Sequence, residues 1–207
     1  ALIAACEAAG RNFSFELENS WYIVSFFFGT GCVSEWQTDA DGKFISVNDN
    51  FNSDAGKIAG PSISQVQLLH WFNDIKPTVR AGQVVNVFDP ATNLQWKLRF
   101  YSLGRHADSE PLTATDTQIM FKAFGNTNTW TPKPVYVQLP SGVWTLASMH
   151  NVPHLSGSIQ NNGFDGHLCV HFLRDMDECS KNDPNYGVQN QKALRKKWQE
   201  MTGQVVE

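Results

Sequence analysis

The hydrophobic period changes several times along this chain, and each change marks an element. Near the N-terminus Phe13, Phe15 and Leu17 alternate with polar residues, and Trp21–Phe28 is an apolar run of strand length. Asp41-Gly42 signals a turn between Trp36 and Phe44-Ile45. Residues 11–60 therefore read as β structure, preceded by a short helix over 1–10 that Gly10 stops. Residues 48–61, rich in Asn, Asp, Ser and Gly, form the best boundary. The expected organisation is a β-rich N-terminal extension, 1–60, followed by a main domain, 61–207.

In the main domain Ser62 or Ser64 can cap a helix reaching Ile75, with Ile63, Val66 and Leu69 at helical spacing and Pro77 ending it. A hairpin follows over 84–101. Its arms are Val84-Val85-Asn86-Val87-Phe88 and 94–101, and its turn is Asp89-Pro90-Ala91-Thr92-Asn93. Leu94, Trp96, Leu98 and Phe100 alternate with polar or basic residues in the second arm. Thr113 or Thr115 caps a helix through Ile119, Met120 and Phe124, closed by Gly125. A second hairpin, 135–139 and 143–149, turns at Pro140-Ser141-Gly142. The Gly- and Asn-rich loop 155–166 leads into a strand over 168–173. Asn182-Asp183-Pro184 starts a last helix over 186–201, with Val188, Leu194, Trp198 and Met201 at helical spacing. The pattern is α+β and mostly β, without internal repeats.

Composition narrows the partners. With 207 residues, 42% hydrophobic and 17% charged, the chain has an ordinary globular balance. A net charge of −4 offers no basic face for nucleic acid or an anionic membrane, and no apolar run is long enough for a membrane span. The basic run from Lys192 to Lys197 reads as a solvated helix face. Seven Trp and fourteen Phe build cores, although aromatics such as Trp130 and Trp144 also suit sugar stacking. Ala1-Leu2-Ile3-Ala4-Ala5-Cys6 resembles the end of a signal segment. Cys6, Cys32, Cys169 and Cys179 permit three full pairings, of which Cys6–Cys32 would tie down the N-terminal segment. Together with the low charge, this leans towards a secreted or cell-envelope location.

The chemistry concentrates late in the chain. Five of the six histidines fall between positions 106 and 171. The sharpest element is Gly166-His167-Leu168-Cys169-Val170-His171-Phe172. On a strand, residues two apart share a face, so His167, Cys169 and His171 should line one side while Leu168, Val170 and Phe172 face the core. A thiol flanked by two imidazoles has the ingredients of a lowered pKa and a thiolate nucleophile. The same side chains equally suit zinc. Upstream, Met149-His150-Asn151-Val152-Pro153-His154 ends the preceding hairpin and can approach Cys169, and Gly157, Gly163 and Gly166 can let backbone N–H groups reach a reacting carbonyl. His106-Ala107-Asp108-Ser109-Glu110 reads either as a surface loop before the capped helix or as part of a metal site of His106, Asp108 and His171 (or His167) with a position open for water.

His154 and the element 166–171 together resemble the L,D-transpeptidase catalytic domain of bacterial cell-wall enzymes. That family carries a His-Gly element, a Gly-containing loop and then Ser-His-Gly-Cys-(Ile/Val)-Arg on a strand. His154 matches the first His, and Gly166-His167-Leu168-Cys169-Val170-His171 matches the second element. Leu155 and Leu168 stand where the family has Gly, and His171 where it has Arg. The segment from Gly104 to Thr113 is similar to one in bacterial cell-wall proteins that carry the same Gly-His-x-Cys-x-His-Phe strand. The resemblance implies an L,D-transpeptidase-like β-rich domain acting on peptidoglycan stem peptides. It implies Cys169 as nucleophile, His167 as base, His154 and His171 in support, and His150, Gly166 and Arg174 on the substrate. No cofactor is required on that reading. A zinc-dependent peptidoglycan peptidase and an inactive cell-surface binding module are the other expectations.

Overall fold

A computed structural model describes the backbone of Phe13–Glu18, Trp21–Phe28, Gly31–Thr38 and Phe44–Ser46, and residues 60–206. The helix expected over 1–10, the Cys6–Cys32 pairing and the Asp41-Gly42 turn lie outside the described residues. The chain divides into two units, Ala1–Ala55 and Gly56–Glu207. The first holds four antiparallel strands in sequential order, β1 (Phe13–Glu18), β2 (Trp21–Phe28), β3 (Gly31–Thr38) and β4 (Phe44–Ser46).

The second unit is a strand-rich α/β mixture. Its strands are β5 (Val66–Gln67), β6 (Val84–Asp89), β7 (Leu94–Leu103), β8 (Ala107–Pro111), β9 (Lys133–Gln138), β10 (Trp144–Met149) and β11 (Leu168–His171). Its helices are α1 (Ala114–Ala123), α2 (Met176–Asn182) and α3 (Tyr186–Thr202). Neighbouring strands run in the order β11-β8-β7-β6-β9-β10, and β10 pairs β11 again. Six antiparallel strands thus close into a barrel, which leaves no open edge among them. β5 adds to β10 in parallel, with Val66 opposite Trp144.

Period-2 alternation fills this barrel. Val85 and Val87, Trp96, Leu98 and Phe100, Ala107, Val135 and Val137, Ala147 and Met149, and Leu168 and Val170 come from all six strands into one buried cluster. The opposite faces of β6, β9 and β10 carry Phe88, Tyr136 and Leu146, which pack on Leu194 of α3. Thr113 caps α1 reciprocally with Asp116, and Gly125 just beyond the helix takes φ +70°, a left-handed value that favours glycine. Among the described residues, no helix is long and apolar enough to cross a membrane.

Two expectations fail locally, and one helix forms that was not among them. The helix over 62–75 is instead a 3-10 turn (Ile63–Gln65), the short β5 and one π-helical turn (Trp71–Ile75). Pairing of Val66 and Gln67 with β10 outweighs helical propensity in a segment too short to nucleate well. The polar segment 106–110 is no surface loop: Ala107–Pro111 is a barrel strand paired on both sides. Its acidic residues face partners supplied from elsewhere in the chain rather than water. The short helix α2 also forms where no helix is legible.

Candidate functional site

The barrel sets the site through register. Leu168 and Val170 point into the interior, so Cys169 and His171 project from the other face of β11. On one side Cys169 pairs with Asp108 of β8, and on the other His171 pairs with Ser148 of β10. Asp108 thus reaches Cys169 across the ladder, although 61 residues separate them in sequence. Just past β10, His150 and His154 return to the same place. A bridge between His154 and His167 closes the loop 155–166, with N···O distances of 3.1 and 3.0 Å.

The Cys169 thiol makes two hydrogen-bonding contacts. His154 Nε2 lies 3.6 Å from Sγ, and Asp108 Oδ1 lies 4.0 Å away. His154 Nδ1 sits 3.0 Å from the Val152 carbonyl, which can only accept. The proton is therefore on Nδ1, and the Nε2 lone pair faces the thiol. His167 makes a different set of contacts. Its Nδ1 donates to the Ser156 carbonyl at 2.6 Å, and its Nε2 is 3.8 Å from Asp108 Oδ1. The imidazole on the thiol is thus His154, where the resemblance assigns proton removal to His167.

His150 is buried between two amides, with Cys169 N–H donating to Nε2 at 3.3 Å and Val152 N–H facing Nδ1 at 3.2 Å. Burial, reinforced by the His154, His106 and His167 rings, pushes its pKa down to about 3. His171, 1% exposed, is held well below its ordinary value by burial and then by His106, His150 and Arg174. Asp108 is opposed by its own burial, yet the bond from His106 and the nearby His106 and His167 rings hold its carboxyl below 3.8. Burial first, and then the Asp108 and Asp183 carboxylates, push the Cys169 thiol up to about 12. The lowered thiol pKa suggested by two flanking imidazoles is therefore reversed, because burial disfavours the thiolate and the Asp108 and Asp183 carboxylates add to it.

Aromatic side chains border this cluster. Trp130, 39% exposed, lies 4.4 Å from the His150 ring, 5.1 Å from His154 and 5.1 Å from Tyr186. Tyr101 stacks on His167 at 5.5 Å. The loop 155–166 lines a cavity of about 460 Å³ with Leu155, Ser156, Ile159, Gln160, Phe164 and Asp165. Glu110, fully buried, anchors that loop. It accepts from the Ser158 amide at 2.5 Å, the Ser158 hydroxyl at 2.7 Å and the Ile159 amide at 2.9 Å, and it pairs with Arg99 at 3.1 Å. Gly166 takes φ +114°, and a Cβ there would meet the His154 carbonyl at 2.4 Å, so only glycine lets the two chain segments approach.

Cys169, His154, His150, His167, His171, His106 and Asp108 therefore form one cluster. Arg174 is close enough to act on the His171 charge, but its own partners are elsewhere. Its fully buried guanidinium pairs with Glu178 at 2.6 Å and Asp183 at 3.2 Å, so a substrate carboxylate would have to displace one of them. Tyr101, Glu110 and Arg99 carry no local motif that marks them. Only the polarity of Glu110 within a barrel strand hints at a partner.

Among the described residues, two sets have metal-ligating atoms within 4.8 Å of one another: His106, Cys169 and His171, and His150, His154 and Cys169. No protein-family model matches the chain, and no curated protein or solved structure matches it either.

Proposed function

We propose that this protein is a cysteine acyltransferase or hydrolase of L,D-transpeptidase-like fold that acts on peptide carbonyls of peptidoglycan stem peptides in the cell envelope. One observation carries the reading: the His154 Nε2 lone pair lies 3.6 Å from Cys169 Sγ while the Val152 carbonyl holds the other ring nitrogen. This is a nucleophile, a base and an orienting group in sequence. The stem-peptide substrate rests on the resemblance of His154 and of 166–171 to the family motifs.

The raised thiol pKa shapes the mechanism. Cys169 rests as a neutral thiol beside the His154 ring, and the proton moves as the bond forms. Sγ attacks the carbonyl carbon while His154 Nε2 takes the thiol proton. The carbon–nitrogen bond then breaks, and His154 returns that proton to the leaving amine. The resulting thioester is resolved by an acceptor amine, giving transpeptidation, or by water, giving hydrolysis. Asp108, bonded to His106 and 3.8 Å from His167, supplies a negative charge that favours an imidazolium in the cluster.

The test is intact-mass capture of an acyl adduct on Cys169 with stem peptides or purified sacculi, beside turnover of the Cys169→Ala variant. An adduct on the wild type and no turnover in the variant are expected. Turnover by a folded Cys169→Ala protein overturns the reading.

A further inference from the structure

We infer that His106, Cys169 and His171 form a zinc-binding site that shares the Cys169 sulfur with His154, so that metal binding and acyl chemistry compete for it. The inference does not depend on acyl transfer by Cys169.

The argument starts from the imidazoles. His106 Nε2 lies 3.0 Å from Asp108 Oδ1, and an ionised carboxylate can only accept. That bond places the proton on Nε2 and leaves the lone pair on Nδ1. His106 Nδ1 is buried and has no hydrogen-bond partner, and the same holds for Nδ1 of His171. Two unpaired buried nitrogens are unusual, since buried polar atoms are nearly always satisfied. The two rings lie 4.5 Å apart, and one nitrogen from each falls within 4.8 Å of Cys169 Sγ. A carboxylate behind an imidazole is the usual support of a metal-ligating histidine, because it sets the tautomer and the ring angle. Asp108 provides it here.

The donor set selects the ion. Two imidazoles and a thiolate suit zinc, whereas calcium and magnesium require oxygen ligands. Three protein ligands leave a fourth tetrahedral position for water. The rival set of His150, His154 and Cys169 is poorer, because the amides of Val152 and Cys169 face both His150 nitrogens and occupy the lone pair that a metal would need. Binding replaces the Cys169 S–H bond with an S–Zn bond, and the proton leaves to solvent. Sulfur bound in this way is no longer free to attack a carbonyl.

The full chain is dialysed with zinc, its metal content is measured, and cobalt(II) is then substituted as a spectroscopic probe. One metal per chain is expected, with a thiolate-to-cobalt charge-transfer band and slowed alkylation of Cys169. Cys169→Ser should lose the band. His106→Asn, at a half-buried position that tolerates change, should weaken zinc binding roughly 10- to 100-fold or more. His154→Gln should keep both the stoichiometry and the band. His171→Asn is informative only if its circular dichroism matches the wild type, which leaves His106→Asn as the deciding variant. Absence of stoichiometric metal overturns the inference, as does zinc binding that survives His106→Asn but not His154→Gln. Acylation of Cys169 without zinc binding removes this site and leaves the acyl reading standing. Zinc binding without acylation of the metal-free protein does the reverse.

Discussion

Leu168, Val170 and Phe172 on one side of β11, and Cys169 and His171 on the other, are all 8% exposed or less. Burial does not separate the two faces; their neighbours do. The first face meets Phe100, Trp71 and Met149, where dispersion and the hydrophobic effect act without direction. The second meets His106, Asp108, His150 and His154, where each atom needs a partner of the right kind at the right angle. Substitutions on the apolar face should therefore register as stability, and those on the polar face as chemistry.

The largest effect that would sharpen this contrast is on rate. His154→Gln should lower turnover or acyl-adduct formation by about 10²- to 10⁴-fold, the usual contribution of a positioned base, with little change in unfolding free energy. An unchanged rate would return the base role to His167. On the opposite face, Phe172→Ala should cost about 3–5 kcal/mol in denaturant unfolding, since its ring stacks on Trp71 at 5.4 Å and is fully buried. The fraction that remains folded should still react at Cys169. Reaction that falls faster than the folded fraction would break the comparison.

Glu110→Gln tests a case between the two, a buried polar group that acts only through structure. The loss of charge leaves Arg99 and two amides imperfectly satisfied, which should cost about 1–3 kcal/mol and raise hydrogen exchange across 155–166. Burial raises the Glu110 pKa, but the Ile159 and Ser158 bonds outweigh it and hold the group below 4.5. The contribution of this clamp is complete above that value and is lost as pH falls through the lower folded one. Protection of the loop that persists at low pH would argue against the clamp.

The pH effect of His150 is confined to acid and is absent near neutral pH. Its folded pKa of about 3 lies below the ordinary 6.5, so its stabilising contribution is complete above 6.5 and declines as pH falls towards 3. The slope in that window is at most about 1.4 kcal/mol per pH unit. Urea unfolding at several pH values should show it, and His150→Asn should flatten it. Equal slopes in both proteins would mean that burial of His150 does not set the acid limb.

How much of this was legible follows the distance over which each feature is encoded. Alternation along 167–172 separates the apolar from the reactive residues of β11, because a pleat repeats every two residues whatever its surroundings. The hairpin of β6 and β7, the cap at Thr113 and the last helix are legible for the same local reason. By itself, then, the sequence determined most of the elements and which face of the last strand carries chemistry. Closure of the barrel decided the rest. It made 107–111 a strand, set Asp108 beside Cys169 and His106 beside His171, and brought His154 rather than His167 onto the thiol. It also turned a sulfur flanked by imidazoles into one pushed up to about 12. Register and desolvation depend on partners tens of residues away, and no short-range pattern in the chain encodes them.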